Sequence, residues 1–153
     1  LTHVYNREKA EEFLQNELNR GTRYKTNFSI ILVEPENSKN ETDSPEKSAD
    51  RLILADLAGL IKKNIRRTDI VGRWDDEKLI IVLPETNLKQ ACKAAEKIRN
   101  LIISHSFPVT CSFGIASYEE SDDKDSLLAR AGNALAEAIN CGGGKVGYTG
   151  IMD

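Results

Sequence analysis

At 153 residues, 40% of them hydrophobic, the chain has room for one domain with a proper core and not for two. Its 21 basic and 24 acidic residues leave a formal net charge of −3, which excludes a globally basic binder of nucleic acid or anionic membrane; any polyanion must be held by a local cluster. Cys92, Cys111 and Cys141 are odd in number and far apart, with only His3 and His105 as imidazole partners, a pattern of reduced cytosolic thiols and not of a zinc site. No stretch approaches the ~18 apolar residues of a membrane span, and a start at Leu1 is expected of a fragment, the C-terminal part of a larger protein.

From Asn6 to about Tyr24, Ala10, Phe13, Leu14 and Leu18 recur at helical spacing, and Gly21 is expected to stop the helix. Phe28 to Val33 is a continuous apolar run, the pattern of a strand covered on both faces. Residues 34–50 turn polar and read as a long loop, with Ser44-Pro45 as N-cap and first position of the next helix. That helix carries Ile53, Leu57, Leu60, Ile61 and Ile65 on one face. Asp69–Trp74 and Leu79–Leu83 then flank a four-residue polar tip, Asp75 to Lys78, which predicts a β-hairpin.

Asn87 and Gln90 form a capping-box pair for a helix whose face is Leu88, Ala91, Cys92, Ala95, Ile98 and Ile102. Val109, Cys111, Phe113 and Ile115 alternate with small residues, which predicts a half-buried strand. A last helix marked by Leu127, Leu128, Ala131, Leu135 and Ala138 ends at Gly142–Gly144, and Val146–Tyr148 adds an edge strand. The triple glycine lacks the spacing of a phosphate loop and follows a helix, so C-capping accounts for it. The order predicts a single α/β domain, an α+β sandwich with a mixed central sheet flanked by helices.

Several runs now add up. Leu1-Thr2 with Asn6-Arg7, the hairpin from Asp69 through Arg73-Trp74 to Pro84, Val109-Thr110-Cys111-Ser112-Phe113-Gly114-Ile115-Ala116, and the helix from Ala131 to Ala138 occur in the order and nearly the spacing of the GGDEF family of diguanylate cyclases. The resemblance covers essentially the whole chain. It implies a nucleotide-cyclase-like fold with a ferredoxin-like core. In active members two facing domains each hold one GTP, and two metal ions on acidic residues assist attack of a 3′-hydroxyl on an α-phosphate. Such chemistry needs carboxylates for metal, glycines for phosphate approach and cations for the triphosphate.

Against that pattern the signature is Asp75-Asp76-Glu77-Lys78-Leu79, with two acids where the family has two glycines. Like charges about 5 Å apart repel by roughly 0.8 kcal/mol even in bulk water. Glu77 stands at the signature's metal carboxylate and Glu34 at the first metal Asp after the central strand, so these two are the candidate metal ligands; as isolated residues they read as solvated carboxylates. Lys39 keeps the family's lysine in the loop, Ser38 replaces a Phe, Thr42 falls at a guanine-binding Asn, and Asp50 matches the second guanine contact. The phosphate-binding Lys and Arg fall at Ile139 and Gly143, and each lost charge-assisted hydrogen bond is worth roughly 1.5 to 3 kcal/mol.

One constellation survives. Arg66-Arg67-Thr68-Asp69 matches the R-x-x-D of the family's product-binding inhibitory site, and Lys97 stands where a further Arg is common. Arg is suited to phosphate or a guanine edge, Asp to accept from guanine, and Lys97 to add a point charge. The same four residues are also an ordinary decoration of a helix end and a strand start. Trp74, at the family's Tyr, reads as packing, and His3 and His105 as surface residues.

With these departures, the resemblance implies a catalytically inactive signalling domain, expected to receive cyclic di-GMP through Arg66, Asp69 and Lys97. No catalytic residue and no cofactor is assigned, magnesium included. The partners are cyclic di-GMP, a protein or an upstream sensory domain, and a second copy of the chain; no nucleic acid or membrane contact is expected of a domain placed in the cytoplasm, whether or not the full-length protein is anchored. A nucleotide-free dimerisation or interaction scaffold is the alternative, and an active cyclase ranks last.

Overall fold

The run from Phe28 to Val33 cannot leave either face to water, and in the computed structural model both are covered. The structure describes residues 4–36 and 46–150, the side chains of 46–51 excepted. Its elements are α1 (Arg7–Tyr24), β1 (Phe28–Glu36), α2 (Glu46–Lys63), β2 (Ile70–Arg73), β3 (Leu79–Pro84), α3 (Leu88–Ser104), β4 (Thr110–Ser117), α4 (Lys124–Asn140) and β5 (Val146–Tyr148). The five strands form one mixed sheet in the order β2-β3-β1-β4-β5, with β1 antiparallel to β3 and β4, and β5 parallel to β4. This is the α+β sandwich that the sequence pattern predicts.

Alternation along β1 divides the core. Ile31 and Val33 point with Val71, Ile81 and Phe113 against α2 and α3, where Leu54, Leu57, Ile61, Ala95 and Ile98 meet them. Phe28, Ile30 and Leu32 point with Ile80 and Val82 to the opposite side, against Ala10, Leu14 and Leu18 of α1 and Leu127, Ala131 and Leu135 of α4. The capping box of α3 forms as predicted: Asn87 Oδ1 accepts from Gln90 N–H at 2.8 Å and Gln90 Oε1 from Asn87 N–H at 2.9 Å.

Three local expectations are corrected. Gly21 does not end α1, which runs to Tyr24 and stops at Lys25 in the left-handed region (φ 56°). Gly21 instead makes room for Tyr118, whose Cε2 would lie 2.9 Å from a Cβ at this position. In α2 the buried face includes Leu54, while Ile53 is only half-buried. Strand β4 is buried on both faces: its small residues mark the close approach of α4, since a Cβ on Gly114 would lie 2.3 Å from the Ala131 carbonyl oxygen. The Ser44-Pro45 cap lies outside the described residues.

At the signature hairpin, Trp74 is 8% exposed and lies under the Arg7 guanidinium, 3.9 Å from its ring centroid; Arg7 also donates to the Trp74 carbonyl at 2.5 Å. Its packing role stands. The cysteines are free thiols, Cys92 half-buried, Cys111 buried and Cys141 exposed, and burial pushes the Cys111 thiol up to about 12.

Gly114→Ala is expected to destabilise the domain by roughly 3 kcal/mol, the upper end of overpacking costs, because backbone and not a flexible side chain must move. Urea denaturation checks this; an unchanged midpoint contradicts the packing account.

Candidate functional site

Two cavities of opposite charge lie at the ends of the strands. The larger, about 600 Å³, opens where β1 leaves the core. The register pairs Val33 with Leu79, so Glu34 and its successors emerge beside the hairpin tip. Glu34, Glu36, Asp76 and Glu77 line it above an apolar floor of Ile53, Leu54, Val109 and Ile139. Burial pushes the Glu34 carboxyl up; Lys78 opposes that, and the negative charges of Glu77, Asp75 and Glu36 add to it.

The tip is ordered by its own polar groups. Asp75 accepts from Glu77 N–H at 2.8 Å and from Lys78 Nζ at 3.0 Å. Burial works to raise Asp75, but these donors outweigh it and hold the carboxyl below its usual range. Of the two acids standing at the family's glycines, Asp75 is therefore paired with Lys78, and Asp76 is the one that lines the cavity. Glu34 and Glu77 do share this cavity, yet among the described residues no group of three or more His, Cys, Asp or Glu side chains is placed to hold a metal ion. Magnesium is commonly held by one or two carboxylates together with water and substrate phosphates, so Glu34 and Glu77 are the described side chains that would hold it. Lys39, with Ser38 and Thr42, and the side chain of Asp50 lie outside the described residues.

Ile139 and Gly143, the positions at which the resemblance implies phosphate cations, are both described. Ile139 contributes apolar surface to the cavity. Gly143 has φ +76°, and a Cβ there would fall 2.0 Å from Glu36 Oε2. A cationic side chain at 143 would have to displace a carboxylate and adopt a backbone that L-residues avoid. Gly142 and Gly143 close α4 through hydrogen bonds to the Ile139 and Ala138 carbonyls, which is the C-capping read from the triple glycine.

The smaller cavity, about 250 Å³, lies where the turn after α2 meets α3. Asn64, Arg66 and Asp69 contribute from that turn, Thr86 from beyond β3, and Gln90, Ala94 and Lys97 from one face of α3. Helical spacing brings residues 90, 94 and 97 to that face. The structure thus joins Arg66, Asp69 and Lys97 around one space. Arg66 donates from Nε to Asp69 Oδ2 at 3.2 Å, and from NH2 to Asp69 Oδ1 at 2.9 Å, the Pro84 carbonyl at 2.9 Å and Thr86 Oγ1 at 2.7 Å. The hydrogen bond to Asp69 raises the Arg66 pKa still further, so it remains a cation. Lys97 is exposed and makes no ion pair among the described residues.

The Asp69 side chain is only 3% exposed and its carboxylate is engaged by Arg66, while it still contributes to the lining of the cavity. Thr86 was not visible as a site residue, because its part depends on β3 returning its end to the α2 turn. Arg99, next to Lys97 on α3, donates to the Gly144 carbonyl at 2.7 Å and ties that helix to the glycine turn.

The family model for the diguanylate cyclase GGDEF domain matches residues 1–145, and the chain belongs to that family. It is 27% identical over 149 residues, 93% of its length, to diguanylate cyclase DgcP of Pseudomonas aeruginosa, and 31% identical over 123 residues, 78% of its length, to diguanylate cyclase DgcM of Escherichia coli K12. It spans only 22% and 30% of those two relatives. Among solved structures, the active GGEEF domain of a Vibrio cholerae diguanylate cyclase superposes with a TM-score of 0.84 at 24% identity, covering 98% of this chain and all of that one. The GGDEF domain of DgcB from Caulobacter crescentus, in complex with c-di-GMP, superposes at 0.80 with 16% identity over 96% of this chain and 92% of that one. SiaD from Pseudomonas aeruginosa, a diguanylate cyclase in complex with its activator SiaC, also superposes at 0.80, with 20% identity over 95% of this chain and 59% of that one.

The raised carboxyl of Glu34 generates a pH prediction. A group whose folded pKa exceeds its unfolded value contributes stability below the unfolded value, lost as pH rises through the folded one. Glu34→Gln is therefore expected to be more stable than the parent at pH 7, with the gain vanishing below about pH 4, the ordinary Glu range. Thermal melts of both proteins across this range test it; a constant difference would refute burial of the charge as the cause.

Proposed function

We propose that this chain is a GGDEF-type signalling domain without cyclase turnover, which receives cyclic di-GMP at the cavity of Arg66 and Lys97. The observation that carries the reading is the opposite charge of the two cavities. Among the described residues, the one at the signature hairpin is lined by Glu34, Glu36, Asp76 and Glu77, whereas the one beside α3 carries the Arg66 guanidinium, paired with Asp69, and the Lys97 ammonium. A triphosphate meets carboxylates in the first; a phosphodiester meets cations in the second. In this reading Arg66 and Lys97 touch the ligand and Asp69 holds Arg66. The DgcB structure, solved with c-di-GMP, supports this ligand class for the fold.

Calorimetric titration with cyclic di-GMP is expected to give saturable heat with the parent. Arg66→Ala should weaken binding roughly 10- to 150-fold, the equivalent of one charge-assisted hydrogen bond worth 1.5–3 kcal/mol. Absence of heat with the parent would refute the receptor role, and formation of cyclic di-GMP from GTP and magnesium would refute inactivity. The second reading, a scaffold that binds protein and no nucleotide, is favoured by SiaD, whose structure holds an activator protein. It predicts self-association or a stable protein complex with no thermal shift on adding guanine nucleotides.

A further inference from the structure

Helix α3 turns one stripe away from the core. Lys89, Lys93, Glu96, Asn100 and Ile103, spaced by three and four residues, are all exposed, while Ala91, Ala95, Ile98 and Ile102 are buried against the sheet. Lys97 stands beside the stripe, one turn after Lys93. The end of α2 lies next to this helix, since Asn64 and Arg66 share a cavity with Gln90, Ala94 and Lys97. It adds Lys62, Lys63 and Arg67. These six cations make no ion pair among the described residues. The two acids of the same segments, Asp69 and Glu96, pair instead with Arg66 at 2.9 Å and with Arg99 at 3.5 Å.

Charge is thus segregated across the sheet. Helices α2 and α3 cover one of its faces, and α1 and α4 the other, where Asp122, Asp123 and Asp125 stand beside α1. The formal net charge of −3 averages the two sides, which is why composition alone leads one to expect no membrane contact.

Lysine is a compact point charge that attracts an anion without fixing its orientation, whereas proteins that read nucleic acid rely on arginine forks and on aromatic rings that stack on bases. Five of the six cations are lysines, and neither residues 62–69 nor α3 contains an aromatic residue. Ile103, 58% exposed on the same stripe, offers apolar surface at its end. Clustered lysines with an outward apolar side chain suit the negatively charged headgroup layer of a lipid bilayer.

We propose that the outward side of α3 and the end of α2 form a docking surface for an anionic lipid bilayer, held by Lys62, Lys63, Arg67, Lys89, Lys93 and Lys97, with Ile103 entering the headgroup layer. The contact is peripheral, since among the described residues no helix is long and apolar enough to cross a membrane. It stands apart from the cyclic di-GMP reading, because five of the six cations, all but Lys97, lie outside the lining of the Arg66 cavity.

Co-sedimentation of the chain with vesicles of phosphatidylcholine containing about a third phosphatidylserine, and with phosphatidylcholine alone, tests this. Binding is expected with the anionic vesicles only, and it should fall steeply as salt rises from about 0.05 M to about 0.3 M. Lys63→Gln, Lys89→Gln and Lys93→Gln should each weaken it about fivefold, the contribution of one basic residue near such a surface. Ile103→Ser should weaken it without changing the salt dependence. Equal binding to both kinds of vesicle, or binding to neither, overturns the proposal, as does a variant lacking all three lysines that binds like the parent. Tighter binding to duplex RNA than to the anionic vesicles at the same salt assigns the surface to nucleic acid and overturns it too. The two kinds of vesicle are compared on the parent, so the proposal can fail without any variant.

Discussion

A strand that is apolar on both faces must be roofed twice, and β1 imposes that demand on everything around it. From Phe28 to Val33 no position tolerates water, so helices have to pack above and below and strands have to flank it on both sides. Burial gives way at Glu34, where the strand turns polar and leaves the core beside the hairpin tip, still paired with β4. The carboxylates of the larger cavity owe their position to that exit, and Glu34, still half-buried, bears the energetic cost of standing at the border.

Chemistry follows from how charge is distributed over this frame. At the hairpin Lys78 neutralises Asp75, so the tip is less anionic than its four polar residues suggest, yet Asp76 and Glu77 still face the cavity with Glu34 and Glu36. The glycine turn after α4 holds this arrangement, because Glu36 occupies the space that a side chain at 143 would need. Around the turn after α2 a buried carboxylate likewise pairs with a guanidinium, here one that stays half exposed, and Lys97 stands beside the pair.

Much of the fold was legible in the sequence, since its signals are local. The apolar run of β1, the polar tip between two strands and the Asn87–Gln90 pair each determine their element within a few residues. Misread features depended on distant partners. Gly21 looks like a helix stop until Tyr118 is placed against it, and the small residues of β4 look solvent-facing until α4 covers Gly114. The candidate site divides the same way: spacing and family pattern located Arg66, Asp69 and Lys97, but that Asp69 serves Arg66 and that Thr86 joins it are set by angles and by the return of β3, which no linear pattern records.

The pairing of Tyr5 with Gly72 bears on solubility. Tyr5 donates its N–H to the Val71 carbonyl at 3.1 Å and accepts from Arg73 N–H at 2.9 Å, so it occupies backbone groups along the outer edge of β2. An open edge invites strands from other molecules, and here one residue blocks that invitation. The contact is possible because Gly72 has no side chain; a Cβ there would meet Ala10 Cβ at 2.9 Å and the Tyr5 carbonyl oxygen at 3.1 Å. Any larger residue at 72 would crowd Tyr5 and Ala10 and leave those backbone groups of the edge without their cover.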